Sequence, residues 1–166
     1  MGFIDVQQPA AYDVVGSDIM VAGQSLTFEA NVQWRVTEGH DELSGFFTSS
    51  GQFQITIDGV EGTAMKLARL FVTVFEEDVS DGEGPTPASV TVPVIYGPLL
   101  VDDYAGWQPY TIMAGDTLSA IADRFYGDTS AFGVLVAANP LTIADPDMIF
   151  AGQTIRVPIG SPRTPT

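Results

Sequence analysis

The sequence predicts two domains: an all-β antiparallel sandwich at the N-terminus and a small α+β unit of order βααβ at the C-terminus. Three observations carry this. Between residues 3 and 96, apolar and polar residues alternate in short runs, the period of half-buried strands. Turn-forming residues separate those runs at hairpin-like spacing. Beyond residue 110 the apolar period changes to that of a helix face. A chain of 166 residues has room for two modest cores.

The clearest strand is Thr27 to Thr37, where Phe28, Ala30, Val32, Trp34 and Val36 share one face and Glu29, Asn31, Gln33 and Arg35 the other. One face is therefore buried and one solvated, and Phe28 and Trp34 are assigned to the core. Leu43, Gly45 and Phe47 mark the next run. Phe53, Ile55 and Ile57 mark another, then Leu70, Val72 and Val74, and last Val90, Val92, Val94 and Tyr96. Gly39, Ser50-Gly51, Asp58-Gly59, Asp81-Gly82 with Gly84-Pro85, and Gly97-Pro98 fall where connections are needed.

Residues 97–109 hold Leu99, Leu100, Tyr104 and Trp107. They are too apolar for a free Gly/Ser tether and predict a packed linker, with Trp107 placed between domains. A short strand follows at Tyr110–Met113. Gly115 then supplies a turn, and Asp116 or Thr117 can cap the first helix. Leu118, Ile121, Ala122 and Phe125 recur at the spacing of a buried helix face. A second helix is expected from about residue 130, with Phe132, Leu135 and Val136 inward. It stops at Asn139-Pro140, since proline disfavours the helical conformation in the residue before it. Gly152-Gln153 turns the chain into a last strand at Thr154–Val157, and residues 160–166 are expected as a flexible tail.

Two stretches resemble known families. Tyr110-Thr-Ile-Met-Ala-Gly-Asp-Thr-Leu-Ser-Ala-Ile-Ala, then Ala137-Ala-Asn-Pro, then Ile149-Phe-Ala-Gly-Gln-Thr-Ile-Arg-Val-Pro158, look like a LysM domain over residues 110–159. The resemblance implies a module that binds N-acetylglucosamine-containing glycans such as peptidoglycan and chitin, in a groove formed by two loops on one edge. Carried over by position, Gly115, Asp116, Thr117 and Leu118 line one wall, and Asn139, Pro140 and Ile149 neighbour the other. Backbone amides suit an acetamide, hydroxyl and amide side chains suit ring hydroxyls, and apolar side chains suit the acetamide methyl. The loop Leu141–Met148, with Asp145-Pro-Asp147, is long and resembles the longer bacterial subtype. Ile4-Asp-Val-Gln-Gln-Pro9, Val21-Ala-Gly23, Phe28-Glu-Ala-Asn-Val32 and Val90-Thr-Val-Pro-Val94 resemble the immunoglobulin-like Gmad2 domain over residues 1–96. That family occurs in bacterial spore-germination and envelope proteins, and the resemblance implies no enzyme.

The formal charge is −15, from 21 acidic against 6 basic residues. Residues 1–96 carry 14 acidic and 3 basic side chains, and residues 97–166 carry 7 and 3. Such a field disfavours nucleic acid and anionic membrane surfaces as partners. It leaves a neutral sugar unaffected, and salt should relieve any repulsion from anionic wall polymers. There is no cysteine, hence no disulfide. The N-terminus, Met1-Gly-Phe-Ile-Asp-Val, lacks the basic and apolar regions of a signal peptide, and no apolar run reaches membrane-spanning length. The expected location is the cell envelope if the chain is part of an exported precursor, and otherwise the cytoplasm or a phage-like particle.

The sequence supports no catalysis, metal or cofactor. His40 is the only histidine and lies in the turn-like Glu38-Gly-His-Asp-Glu42, with no nucleophile elbow. No carboxylate pair is identifiable as a glycosidase pair. The acidic run Glu76-Glu-Asp-Val-Ser-Asp-Gly-Glu83 invites calcium, but its spacing is not that of an EF-hand, and a solvated hairpin end fits better. The expected function is a non-catalytic peptidoglycan-binding protein. Its rival is a structural part of a phage baseplate or contractile injection system, with other subunits as partners.

Overall fold

The structure, a computed structural model, describes residues 2–27, 30–77 and 86–163. The sequence expectations for Phe28, Glu29, the turn at Asp81-Gly82 and Gly84-Pro85, most of the acidic run after Glu77, and residues 164–166 lie outside them. The described residues are mostly β-strand with two short α-helices. The chain divides into two compact units. One comprises residues 1–13 with 17–94, and the other residues 14–16 with 95–166.

The first unit is built from strands. β1 (Phe3–Gln8), β3 (Ile19–Leu26) and β6 (Gly51–Ile57) form one sheet in the order β1-β3-β6, with antiparallel pairing throughout. In β3, Ile19, Val21, Gly23 and Ser25 are buried and the residues between them are not, so the period-2 rule holds along the whole strand. β4 (Asn31–Thr37), β5 (Glu42–Thr48), β7 (Arg69–Phe75) and β8 (Ser89–Tyr96) follow one another in the second sheet as β8-β7-β4-β5. Val32 and Val36 of β4 are fully buried, as are Leu70 and Val74 of β7.

Three expectations change here. The strand expected from Thr27 begins only at Asn31, because Ala30 has φ 53°, a turn conformation that interrupts a strand. Ala30 instead closes a turn through its N–H to the Thr27 carbonyl, and its own carbonyl accepts from Ser49 at 2.8 Å. The runs at residues 43–47 and 53–57 are consecutive but do not pair as a hairpin, since β5 and β6 belong to different sheets. Trp34 is half-buried rather than enclosed and faces Gly45 across the β4–β5 ladder. A Cβ on Gly45 would stand 2.5 Å from the indole, so only glycine leaves room for the ring at that rung.

The second unit begins where Val14 and Val15, a short β2 (Val14–Val15), pair in parallel with Ile95 and Tyr96 at the end of β8. A long antiparallel ribbon, β9 (Val101–Thr111) with β10 (Thr154–Pro162), encloses the helical segment. The expected linker at 97–109 is thus largely strand, and the strand expected to stop at Val157 runs on to Pro162. Arg163 of the expected tail is also tied down: its Nε donates to Asp102 at 2.9 Å. Pairing between segments some fifty residues apart satisfies these backbones, and local composition carries no mark of it. Trp107, expected to pack between domains, is 43% exposed and lies under the Arg156 guanidinium at 5.4 Å.

α1 (Leu118–Tyr126) and α2 (Phe132–Ala138) pack with the ribbon around Ile112, Leu118, Ile121, Ala122, Leu135, Ile143, Ile155 and Val157. Three of the four residues expected on the inner face of α1 are buried, and Phe125 packs against the same cluster. Gly127 ends α1 with φ 67°, the left-handed C-terminal conformation that glycine adopts without a Cβ penalty. In α2, Leu135 is buried as expected, whereas Phe132 is 39% exposed because it occupies the first position of the helix, facing out toward the loop.

Candidate functional site

The turn between β9 and α1 is fixed by a compact polar cluster. Gly115 adopts φ 89°, which lets the Asp116 N–H return to the Met113 carbonyl at 3.1 Å. The Asp116 carboxylate then accepts from the Met113 N–H at 2.9 Å and from the Tyr110 hydroxyl at 2.7 Å. Arg124, one helix face away, lies 3.7 Å from the other Asp116 oxygen. It also donates to the Tyr110 hydroxyl and covers the Tyr110 ring at 5.5 Å. Tyr110 meets Phe125 edge to face at 5.4 Å. Asp116 is therefore a latch across the turn, and the cap falls to its neighbour: Thr117 Oγ1 accepts from the Ala120 N–H at 3.2 Å, the N-cap geometry.

The latch sets a pH dependence. The hydrogen bond from Tyr110, then that from Met113, and then the charge of Arg124 hold the Asp116 carboxyl below its usual range. The same contact with Asp116 raises the Tyr110 phenol. A carboxyl depressed in the fold contributes stability above its unfolded value, and that stability is lost as pH falls through the folded value. Thermal melts of the parent and of Asp116→Asn should therefore differ most near neutral pH. The difference should shrink as the pH falls below the ordinary aspartate value of about 3.9.

Asn139, expected to end the second helix and to neighbour the groove, is committed to the fold. It is 4% exposed, and its whole amide is used internally. Nδ2 donates to the Leu135 carbonyl at 2.8 Å and to the Arg156 carbonyl at 2.7 Å, and Oδ1 accepts from the Arg156 N–H at 2.7 Å. Asn139 thus fastens the end of α2 to β10, and its carbonyl accepts from Ile143 at 2.8 Å to start the following loop.

That loop faces the start of α1 across an open cleft of about 280 Å³. Of the residues expected at the site, Asp116, Thr117, Leu118 and Ile149 line it; Gly115, Asn139 and Pro140 do not. Gly115 shapes the turn, Asn139 is sequestered, and Pro140 is exposed elsewhere on the loop. The cleft adds Ser119, Phe132, Pro146 and Asp147. Pro146 and Asp147 are presented by a turn in which the Asp145 carboxylate accepts from the Asp147 N–H at 2.9 Å. The sequence signal for it was the Asp-Pro-Asp run; Ser119 and Phe132 are helix-start positions that periodicity alone does not single out.

Residues 110–158 match the family model of the LysM domain. Residues 3–83 match Gmad2, the immunoglobulin-like domain of bacterial spore germination. The chain joins a Gmad2 domain to a LysM domain. Among curated proteins, it is similar to an esterase of Mycobacterium tuberculosis strain H37Rv, 53% identical over 51 residues, covering 31% of this chain and 11% of the esterase. It is also similar to the potassium binding protein Kbp of Escherichia coli O6:H1, 41% identical over 51 residues, covering 31% of this chain and 34% of that protein. A protein of Deinococcus radiodurans is 39% identical over 57 residues, covering 34% of this chain and 22% of its own length. The chain thus spans about a third or less of the length of these relatives. No solved structure matches it significantly. LysM is a glycan-binding domain, and among the described residues no cluster of three or more metal-binding side chains occurs.

Proposed function

We propose that the protein is a non-catalytic peptidoglycan-binding protein whose LysM cleft takes an N-acetylglucosamine-containing glycan. In this reading the Gmad2 domain is an immunoglobulin-like sandwich serving as a companion module of a bacterial envelope or spore protein. The observation that carries it is where the cleft falls within the LysM domain. It lies between the β9–α1 turn and the loop after α2, the two loops that the family uses for sugar.

The lining supports the same ligand. The first amides of a helix have no carbonyl one turn earlier, so the Leu118 and Ser119 N–H groups at the start of α1 are donors for an acetamide carbonyl. Phe132, Pro146 and Ile149 give apolar surface for the acetamide methyl and the sugar's C–H faces, and Thr117, Ser119 and Asp147 give hydroxyl and carboxylate partners for ring hydroxyls. No catalytic role is assigned to these groups; the esterase name of one relative covers a protein of which this chain matches 11%. The rival reading, a LysM-bearing part of a phage baseplate or injection machine, draws support from Asp116 and Asn139. Both side chains are committed to the fold, so the motif can persist for structure alone.

Sedimentation with purified peptidoglycan separates the two. The parent should co-sediment, and Phe132→Ala combined with Ser119→Ala should bind about tenfold more weakly, the equivalent of about 1.4 kcal/mol, with an unchanged melting temperature. Failure of the parent to bind, or undiminished binding by the double variant, favours the assembly reading.

A further inference from the structure

The outer face of the β4–β5 edge carries an exposed aromatic and amide surface. Register puts Phe46 of β5 opposite Gln33 of β4, and Gln33 opposite Phe75 of β7. Across three adjacent strands this makes a row of aromatic, amide and aromatic side chains on one face, since directly paired residues point to the same side of a sheet. Phe46 is 75% exposed, in the middle of a strand at the end of its sheet. An open cleft of about 350 Å³ lies beside it, lined by Asn31, Gln33, Ser44, Gly45, Phe46 and Glu77. The neighbouring cation, Arg35, is occupied: it lies 3.8 Å from Glu42 and 5.7 Å from the centre of the Phe75 ring.

We propose that this cleft binds a neutral oligosaccharide, with Phe46 as the stacking platform and Asn31, Gln33, Ser44 and Glu77 as hydrogen-bonding groups. An exposed aromatic ring offers an apolar face to the C–H side of a sugar ring. Two carboxamides and a hydroxyl offer both donors and acceptors, and a carboxylate offers two acceptor oxygens, which together match a ligand made of hydroxyl groups. The lining holds one negative charge and no positive charge, in a chain of net charge −15. That balance disfavours acidic peptides, phosphates and nucleic acids, and leaves an uncharged polyhydroxyl ligand as the fitting occupant. Burying an exposed phenylalanine against a sugar also removes apolar surface from water at an edge strand.

The test is affinity electrophoresis of the full chain through native gels containing neutral polysaccharides free of N-acetylglucosamine: hydroxyethyl cellulose, arabinoxylan and galactomannan. Phe46→Ala and Gln33→Ala should lose at least tenfold in affinity for the polysaccharide that retards the parent. The Phe132→Ala, Ser119→Ala variant of the LysM cleft should keep this retardation, which separates failure here from failure of the LysM reading. No retardation of the parent by any of the three, or equal retardation of parent and Phe46→Ala, overturns the proposal. So does a parent that dimerises through this edge, with Phe46→Ala restoring the monomer and no polysaccharide effect.

Discussion

Asn139→Ala should destabilise the LysM domain by about 2–4 kcal/mol, more than any other polar substitution within it. The side chain makes three hydrogen bonds of 2.7–2.8 Å to main-chain groups of α2 and β10. Each is worth about 0.5–1.5 kcal/mol net, and leaving a buried partner unsatisfied costs about 1–3 kcal/mol. Water entering the vacated space can satisfy part of this, which keeps the expected total below the sum of the parts. For a domain of this size the melting temperature should fall by roughly 10 °C or more. Glycan binding should weaken only to the extent that folded protein is lost, so titrations at low temperature, where the variant is folded, should return nearly the parent affinity. A large affinity loss in fully folded Asn139→Ala would instead place its amide in contact with sugar.

Ile121→Ala should cost about 2–5 kcal/mol, the range for truncating a fully buried isoleucine. Ile121 is 0% exposed, in the cluster shared with Leu118, Leu135 and Ile155. It also lies one turn beyond Thr117, whose carbonyl accepts from the Ile121 N–H at 2.9 Å. The cavity therefore opens directly beneath the helix start that forms one wall of the cleft. Stability and affinity should fall together here, unlike in Asn139→Ala, and unlike in the cleft variants where affinity falls alone. Denaturant melts monitored by tryptophan and by amide exchange of α1 distinguish the three patterns.

These contrasts follow from what was legible in the residues. The inner face of α1, the stop at Asn139-Pro140 and the turn at Gly115 are local patterns, and each appears where helix spacing, proline and glycine chemistry place it. The division of labour between Asp116 and Thr117 was not legible, because either can cap. Tyr110 and Arg124 decide it, reaching Asp116 from a strand and from the far end of the helix. Asn139 read as a helix terminator and a neighbour of the groove; its burial was not visible because it depends on Arg156 of β10, seventeen positions later. The same non-local pairing turned an expected linker and tail into the two arms of a ribbon. In the Gmad2 domain the strand runs were visible, but not the assignment of β5 and β6 to different sheets, since alternation fixes which face a residue takes and says nothing of its neighbouring strand.

The glycan reading turns most directly on the amides that open α1. In a titration of the isotope-labelled chain with the N-acetylglucosamine pentamer, the Leu118 and Ser119 N–H resonances should shift and saturate together with Phe132 and Asp147. Saturation should come in the micromolar to millimolar range, and the shifts should be lost in the Phe132→Ala, Ser119→Ala variant. Unmoved resonances at these four residues at millimolar sugar, in a folded sample, would contradict glycan binding by this cleft.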